Sequence, residues 1–288
     1  MSKHKGNVVN PFDMIHKYGA DAVRFYMMTN SEPWDNLKFD EHGVDEVRRK
    51  LFGTLYNTYS FFALYANVDG FDPETPQIPL ADRPEIDRWI LSCLHSLVRK
   101  VDKELEAYDP TRAGRLIDSF VNDDLSNWYV RLNRKRFWGK EMSNDKLSAY
   151  QTLYSCLLTV AKLLAPFAPF YSDRLYHDLE GGLQSVHLDT FPVADDAFID
   201  ADLEERMSMA QKITSMTLAL RRKVNIKVRQ PLQGALEKCA AQAEKGHDKL
   251  KEADKSIESG KPTACRCSFL CPRNACGSDA HTNWKGHR

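Results

Sequence analysis

Apolar side chains recur at three- and four-residue steps along most of the chain between residues 44 and 223. That spacing draws one apolar stripe along an α-helix, whereas a half-buried strand requires strict alternation. In the first run Val47, Leu51, Leu55, Thr58 and Phe62 make the stripe, and Phe52, Tyr56 and Tyr59 widen it. Residues 82–108 repeat the pattern with Ile86, Trp89, Ile90, Leu94, Leu97, Val98, Val101 and Leu105. Residues 112–138, 146–164 and 200–223 read as further long helices, with a short one through Leu175, Tyr176 and Leu179. Helices with one apolar face are stable when those faces pack together. The predicted fold class is therefore mainly α, a helical bundle.

The breaks between these runs are set by local chemistry. Four prolines and three aspartates fall within residues 69–84, which predicts a long surface loop. Asp109-Pro110-Thr111 is a natural stop and start, with Asp109 or Thr111 available as a cap. Pro166 and Pro169 bend the chain again, and Gly181-Gly182 close the short helix. Ahead of the bundle, Pro11 after Asn10 predicts a helix start, and residues 20–30 form a second segment holding Val23, Phe25, Tyr26, Met27 and Met28. Beyond Pro231 the character changes: residues 234–261 are rich in Ala, Lys and Glu, and residues 262–288 have no period. A stretch with so few large apolar side chains cannot offset its ordering entropy, which predicts a poorly ordered tail.

Composition removes several function classes. Forty basic residues balance forty acidic ones, so no net field favours nucleic acid and phosphate binding must rest on local clusters. No run approaches 18 consecutive apolar residues, and the first residues lack a signal-peptide core, so a cytoplasmic protein without membrane contact is expected. Neither Gly-x-x-x-x-Gly-Lys-Ser/Thr nor Gly-x-Gly-x-x-Gly occurs. Cys265, Cys267, Cys271 and Cys276, with His281 nearby, lack the paired C-x2-C spacing of structural zinc, and no metal site is expected.

Two basic clusters remain. Residues 122–138 read NDDLSNWYVRLNRKRFW, with Arg131, Arg134, Lys135 and Arg136 beside Trp128, Tyr129, Phe137 and Trp138. On a helix Asn127, Arg131, Arg134 and Trp138 share one face, and Tyr129, Leu132 and Arg136 another. Arginine forks suit phosphates and an adjacent aromatic can stack on an unpaired base. Core packing of the tryptophans, and pairing of the arginines with Asp123 or Asp124, are the competing readings. The second cluster, LRRKVNIKVRQP over residues 220–231, carries Arg221, Arg222, Lys223, Lys227 and Arg229 without an acid. Alternation of Val224, Ile226 and Val228 predicts an extended segment with Lys227 and Arg229 opposite, as a phosphate contact or a solvated edge.

The first residues, Met1-Ser2-Lys3-His4-Lys5-Gly6-Asn7, resemble the second signature of class I aminoacyl-tRNA synthetases, entered after its first Lys. The resemblance runs over roughly residues 1–233, through NLKFDEHGV, LYNTYSFFALYANVDGF, SNWYVRLNRKRFW, LLAPFAPFYSDRLY and NIKVRQPL, and favours the isoleucyl branch. It implies a remnant of the catalytic domain over 1–40, a helical anticodon-binding domain over 41–200, a helix and basic junction over 201–233 and an atypical tail over 234–288. It also implies ATP contacts from Met1, Ser2, Lys3 and His4, with Lys3 meeting the leaving pyrophosphate. Transfer RNA for isoleucine would meet Asn127, Trp128, Arg131, Arg134, Lys135, Arg136, Arg221, Arg222, Lys227 and Arg229. ATP with magnesium would serve the full enzyme, whose nucleotide-binding fold and editing domain this chain lacks. The chain alone is then expected to need no cofactor and to form no adenylate. The alternative is a stand-alone helical scaffold that binds proteins rather than RNA.

Overall fold

The computed structural model describes residues 9–228 other than 140, 180, 181, 224 and 226. The lysine loop and the tail over 234–288, with its cysteines, lie outside the described residues. The chain divides into two compact units, residues 1–208 and 209–288. Among the described residues no helix is long and apolar enough to cross a membrane.

The first unit opens with α1 (Pro11–Tyr18) and α2 (Ala20–Asn30). Asn10 caps α1 by accepting the Phe12 N–H at 3.1 Å, and Pro11 sits where its missing N–H is harmless. Gly19 joins the two helices at φ +87°, a conformation closed to most side chains. After a connecting segment Asp40 caps α3 (Glu41–Val47), which continues through a π-helical turn, Arg48–Phe52, into α4 (Gly53–Asp69). Leu51, Leu55, Thr58 and Phe62 are buried, as the stripe predicts.

The 69–84 loop is tethered as well as exposed. Gln151 accepts the Ile78 N–H at 2.9 Å and donates to the Pro76 carbonyl at 3.0 Å, while the buried Arg83 guanidinium donates to Thr152 at 2.8 Å. The antiparallel core follows: α5 (Glu85–Glu106), α6 (Pro110–Ser119), a π-helical stretch Phe120–Val130, α7 (Arg131–Phe137) and α8 (Asn144–Leu164). Asp109 caps α6 through the Arg112 N–H at 2.9 Å, and Ser143 caps α8 through the Lys146 N–H at 3.2 Å. Helix α8 is buried over most of its circumference, polar Lys146, Ser148, Gln151 and Thr152 included, and packs against α5, α7 and α9 (Pro169–Asp178). The unit closes with the first residues of α10 (Ala201–Lys223), where Leu203 is buried and Glu204 accepts from Ser92 and Ser96.

The N-terminal helices are fastened to the bundle through backbone carbonyls. Thr111 donates to the Met28 carbonyl at 2.7 Å and Arg115 to those of Thr29 and Asn30 at 2.9 and 3.2 Å, satisfying the end of α2. Arg24 reaches the Phe167 and Pro166 carbonyls from the other side. Helices α6 and α2 come close at Gly114, where an added Cβ would stand 2.5 Å from the Thr29 methyl.

The second unit holds the remainder of α10. From its last turn Arg221 donates to the carbonyls of Lys227 and Val228 at 2.9 and 3.1 Å, and beyond it Asn225 takes φ +58°. The alternation through Val228 therefore does not make an unbroken extended segment. A left-handed residue turns the chain after the helix, and the arginine closes that turn.

Candidate nucleic-acid interface

At one end of the bundle α4 and α7 finish and α5 and α8 begin, so four helix termini converge. A buried polar network fixes them. Asp87 is fully buried and accepts from Arg136 through two parallel bonds of 2.7 and 2.8 Å. The same carboxylate takes the Tyr129 hydroxyl at 2.9 Å and the Ser148 hydroxyl at 2.6 Å. Arg136 also donates to Asn133, to the Asp145 carboxylate and to the Asp145 carbonyl. Burial works against its charge, and the bonds to Asp87 outweigh that, so its pKa stands above the ordinary arginine value. Beside it the buried Lys146 ammonium pairs with Asp69 at 2.5 Å and donates to the Gly139 carbonyl at 2.6 Å.

This geometry corrects the expectation for Arg136. Its guanidinium makes five internal hydrogen bonds, which uses the five donors of the fork. No donor remains for a phosphate. Sequence could not reveal this, because Asp87 lies 49 residues away and reads as an ordinary acid in the first turn of a helix.

The opposite face carries the free charges. Asn127, Arg131, Arg134 and Lys135 are all exposed, and among the described residues no carboxylate lies within ion-pair reach of these three cations. Among the described residues no ion pair joins Arg131 or Arg134 to Asp123, and Arg136 pairs with Asp87 and Asp145 instead. At 1.5 Å per residue the strip from Asn127 to Trp138 is roughly 16 Å long. The π-helical stretch Phe120–Val130 delivers it: widening the turn keeps Leu125, Tyr129 and Val130 inward and leaves Asn127 and Arg131 outward.

The four aromatics of the cluster part company. Tyr129 and Phe137 are core residues, Phe137 packing edge-on to Phe61 and Tyr150 at 5.1 and 4.9 Å. Trp128 is half-buried against the core, and Trp138 is exposed. Leu132 is exposed rather than sharing the Tyr129–Arg136 face, because the inward face centres on Asn133.

In the second unit Arg222 and Lys227 are exposed, and Arg221 is half-buried by its bonds to the turn. Arg229, like Met1, Ser2, Lys3 and His4, lies outside the described residues.

Residues 87–236 match the profile described as the anticodon-binding domain of tRNA ligase, and residues 1–40 that of tRNA synthetases class I (I, L, M and V). The chain belongs to the anticodon-binding-domain family of tRNA ligases. It is 64% identical over 252 residues to the isoleucine–tRNA ligase of Bacteroides thetaiotaomicron, covering 86% of this chain and 22% of that protein. To the Porphyromonas gingivalis isoleucine–tRNA ligase it is 66% identical over 232 residues, covering 81% and 20%. The chain thus spans about a fifth of the length of these relatives. Among solved structures it is similar to a ternary complex of LeuRS, tRNA and LeuAMS from Agrobacterium radiobacter, at 23% identity and TM-score 0.52, covering 70% of this chain and 23% of that one. A Mycobacterium tuberculosis methionyl-tRNA synthetase with methionyl-adenylate gives 22% and 0.51, covering 61% and 34%. At such identities the likeness speaks to the fold alone. The mainly α reading and the anticodon-domain resemblance both hold.

Proposed function

We propose that this chain supplies the anticodon-side tRNA contact of an isoleucine–tRNA ligase, the enzyme that joins isoleucine to its tRNA with ATP and releases AMP and diphosphate. The observation that carries the reading is the exposed strip Asn127, Arg131, Arg134 and Lys135, whose cations have no acid partner among the described residues while their neighbour Arg136 is held inside. Three exposed cations on one helix face suit a phosphate backbone, and Asn127 adds a donor and an acceptor. Trp128, half-buried against the core, would border the strip rather than contribute a stacking face. Arg222, Lys227 and Arg229 would add phosphate contacts from the second unit, with Arg221 shaping their turn.

Residues 1–40 would belong to the catalytic part of the ligase, 41–200 to the anticodon-binding domain and 201–233 to the junction beyond it. ATP and magnesium would act in the whole ligase, where Lys3 and its neighbours Met1, Ser2 and His4 would close on the nucleotide. A cytoplasmic location accords with that work. The isolated chain would bind tRNA without forming adenylate, since adenylate chemistry needs several preorganised groups acting together.

A filter-binding titration tests this. The 288-residue chain is expected to prefer isoleucine tRNA over an unrelated structured RNA of equal length, with affinity falling as salt rises. Equal affinity for the two RNAs at moderate salt would overturn the reading.

A further inference from the structure

We infer that Trp138 is a base-stacking platform, holding an unpaired nucleobase of the RNA whose phosphates the neighbouring cations bind; this rests on the tRNA reading above. Trp138 is 57% exposed at the end of α7. Arg134 and Lys135 precede it by four and three residues and Arg131 by seven, so all four side chains share a face.

The indole is exposed but its backbone is not free. Phe137, immediately before it, is buried among Phe61 and Tyr150. One residue earlier Arg136 is locked to Asp87, and one residue later the Gly139 carbonyl is held by buried Lys146 at 2.6 Å. The network at this end of the bundle therefore presents an outward indole on a fixed mount. Stacking on a ring whose backbone is already held orders no further main chain, and stacking is tolerant of base identity.

Among the described residues a second strongly exposed tryptophan supplies the contrast. Trp34 is 72% exposed but stands between Glu32 and Asp35, where a phosphate backbone would be repelled. Exposure alone would make the two equivalent. Only Trp138 is flanked by cations, and that complementarity points to nucleic acid rather than to a protein surface.

The experiment measures binding of the full chain to isoleucine tRNA and to a fully paired RNA duplex, across a salt series. Trp138→Leu is expected to weaken tRNA binding about 5- to 150-fold, the range of losing one stacked base. Trp138→Phe, which keeps a ring, is expected to recover most of that loss. The slope of log affinity against log salt should stay unchanged in both, because no charge is removed. Duplex binding should be insensitive to either, and Trp34→Leu should match the parent on both RNAs. If Trp138→Leu binds tRNA as the parent does, or loses equally on tRNA and duplex, the platform is wrong while tRNA binding stands. If the parent chain itself shows no preference for tRNA, the functional reading and the platform fall together.

Discussion

The Asp87 carboxylate and the Arg136 guanidinium meet face to face through two parallel hydrogen bonds of 2.7 and 2.8 Å, at a site where Asp87 has no solvent exposure. A buried pair of this kind adds little to stability over an apolar pair of the same shape, since both ions were desolvated to form it. Its value is positional. It ties the start of α5 to the end of α7, and Asp145 and Ser148 bring the start of α8 to the same point. The outward strip and Trp138 are held in register by that knot.

Breaking the pair from one side should be costly. Asp87→Ala leaves a largely buried cation, takes the acceptor from the Ser148 hydroxyl and leaves the Tyr129 hydroxyl only its 3.5 Å bond to the Ala149 carbonyl, and a loss of about 3–5 kcal/mol is expected in urea unfolding. Asp87→Leu combined with Arg136→Met removes both charges and should regain much of it. If the double variant is as unstable as the single one, the charges are not the cause.

Arg131→Ala and Arg134→Ala should behave in the opposite way. Both side chains are exposed without an ion-pair partner among the described residues, so stability should change by less than about 0.5 kcal/mol. Each should weaken tRNA binding and reduce the salt slope by about 0.7 to 0.9. Arg136→Ala is the informative contrast, expected to unfold more easily while contributing no phosphate contact of its own.

Gly114→Ala tests how closely α6 approaches α2. The new methyl would lie 2.5 Å from the Thr29 methyl and 3.4 Å from the Phe167 ring, so the Thr29 side chain or one of the helices has to shift. Overpacking of this kind costs roughly 1–3 kcal/mol. Relief of glycine's entropy in a helix returns only about 0.5–1 kcal/mol. A net lowering of the thermal midpoint is therefore expected, and a rise would mean that the contact relaxes freely.

Acid should act through Asp189. The Lys162 ammonium at 2.8 Å, then the Tyr176 hydroxyl at 2.7 Å, hold its carboxyl down to about 2. In the unfolded chain it returns to about 3.9. A depressed carboxylate stabilises the fold above the unfolded value, and that contribution is lost as pH falls through the folded one. Asp189→Asn should therefore be less stable than the parent at pH 6, with the gap closing between about pH 4 and pH 2. A gap that persists unchanged at pH 2 would show that packing rather than charge is responsible.

Much of the helical layout was legible because it depends on neighbours in sequence. The spacing of Leu51, Leu55, Thr58 and Phe62 anticipates their burial, Asn10 and Asp109 cap the helices they precede, and the chain turns at its prolines. The face shared by Arg131 and Arg134 follows from the helical period as well. The π-helical stretches left no sign, since the hydrogen-bond pattern of a wide turn has no residue signature of its own.

What the sequence alone determined, then, is the helical class, the element order and the presence of a basic cluster with aromatics among it. Local periodicity and charge are properties of the chain taken a few residues at a time. Only the tertiary structure decided which members of that cluster face out. Arg134 and Arg136 are two residues apart and identical in chemistry, yet one is open to solvent and the other bonded to Asp87. Trp128 and Trp138 divide in the same way, one against the core and one exposed. The reason is physical: a side chain's fate depends on partners brought in from 49 or 61 residues away, as Asp87 is to Arg136 and Ser148, and no local pattern encodes them.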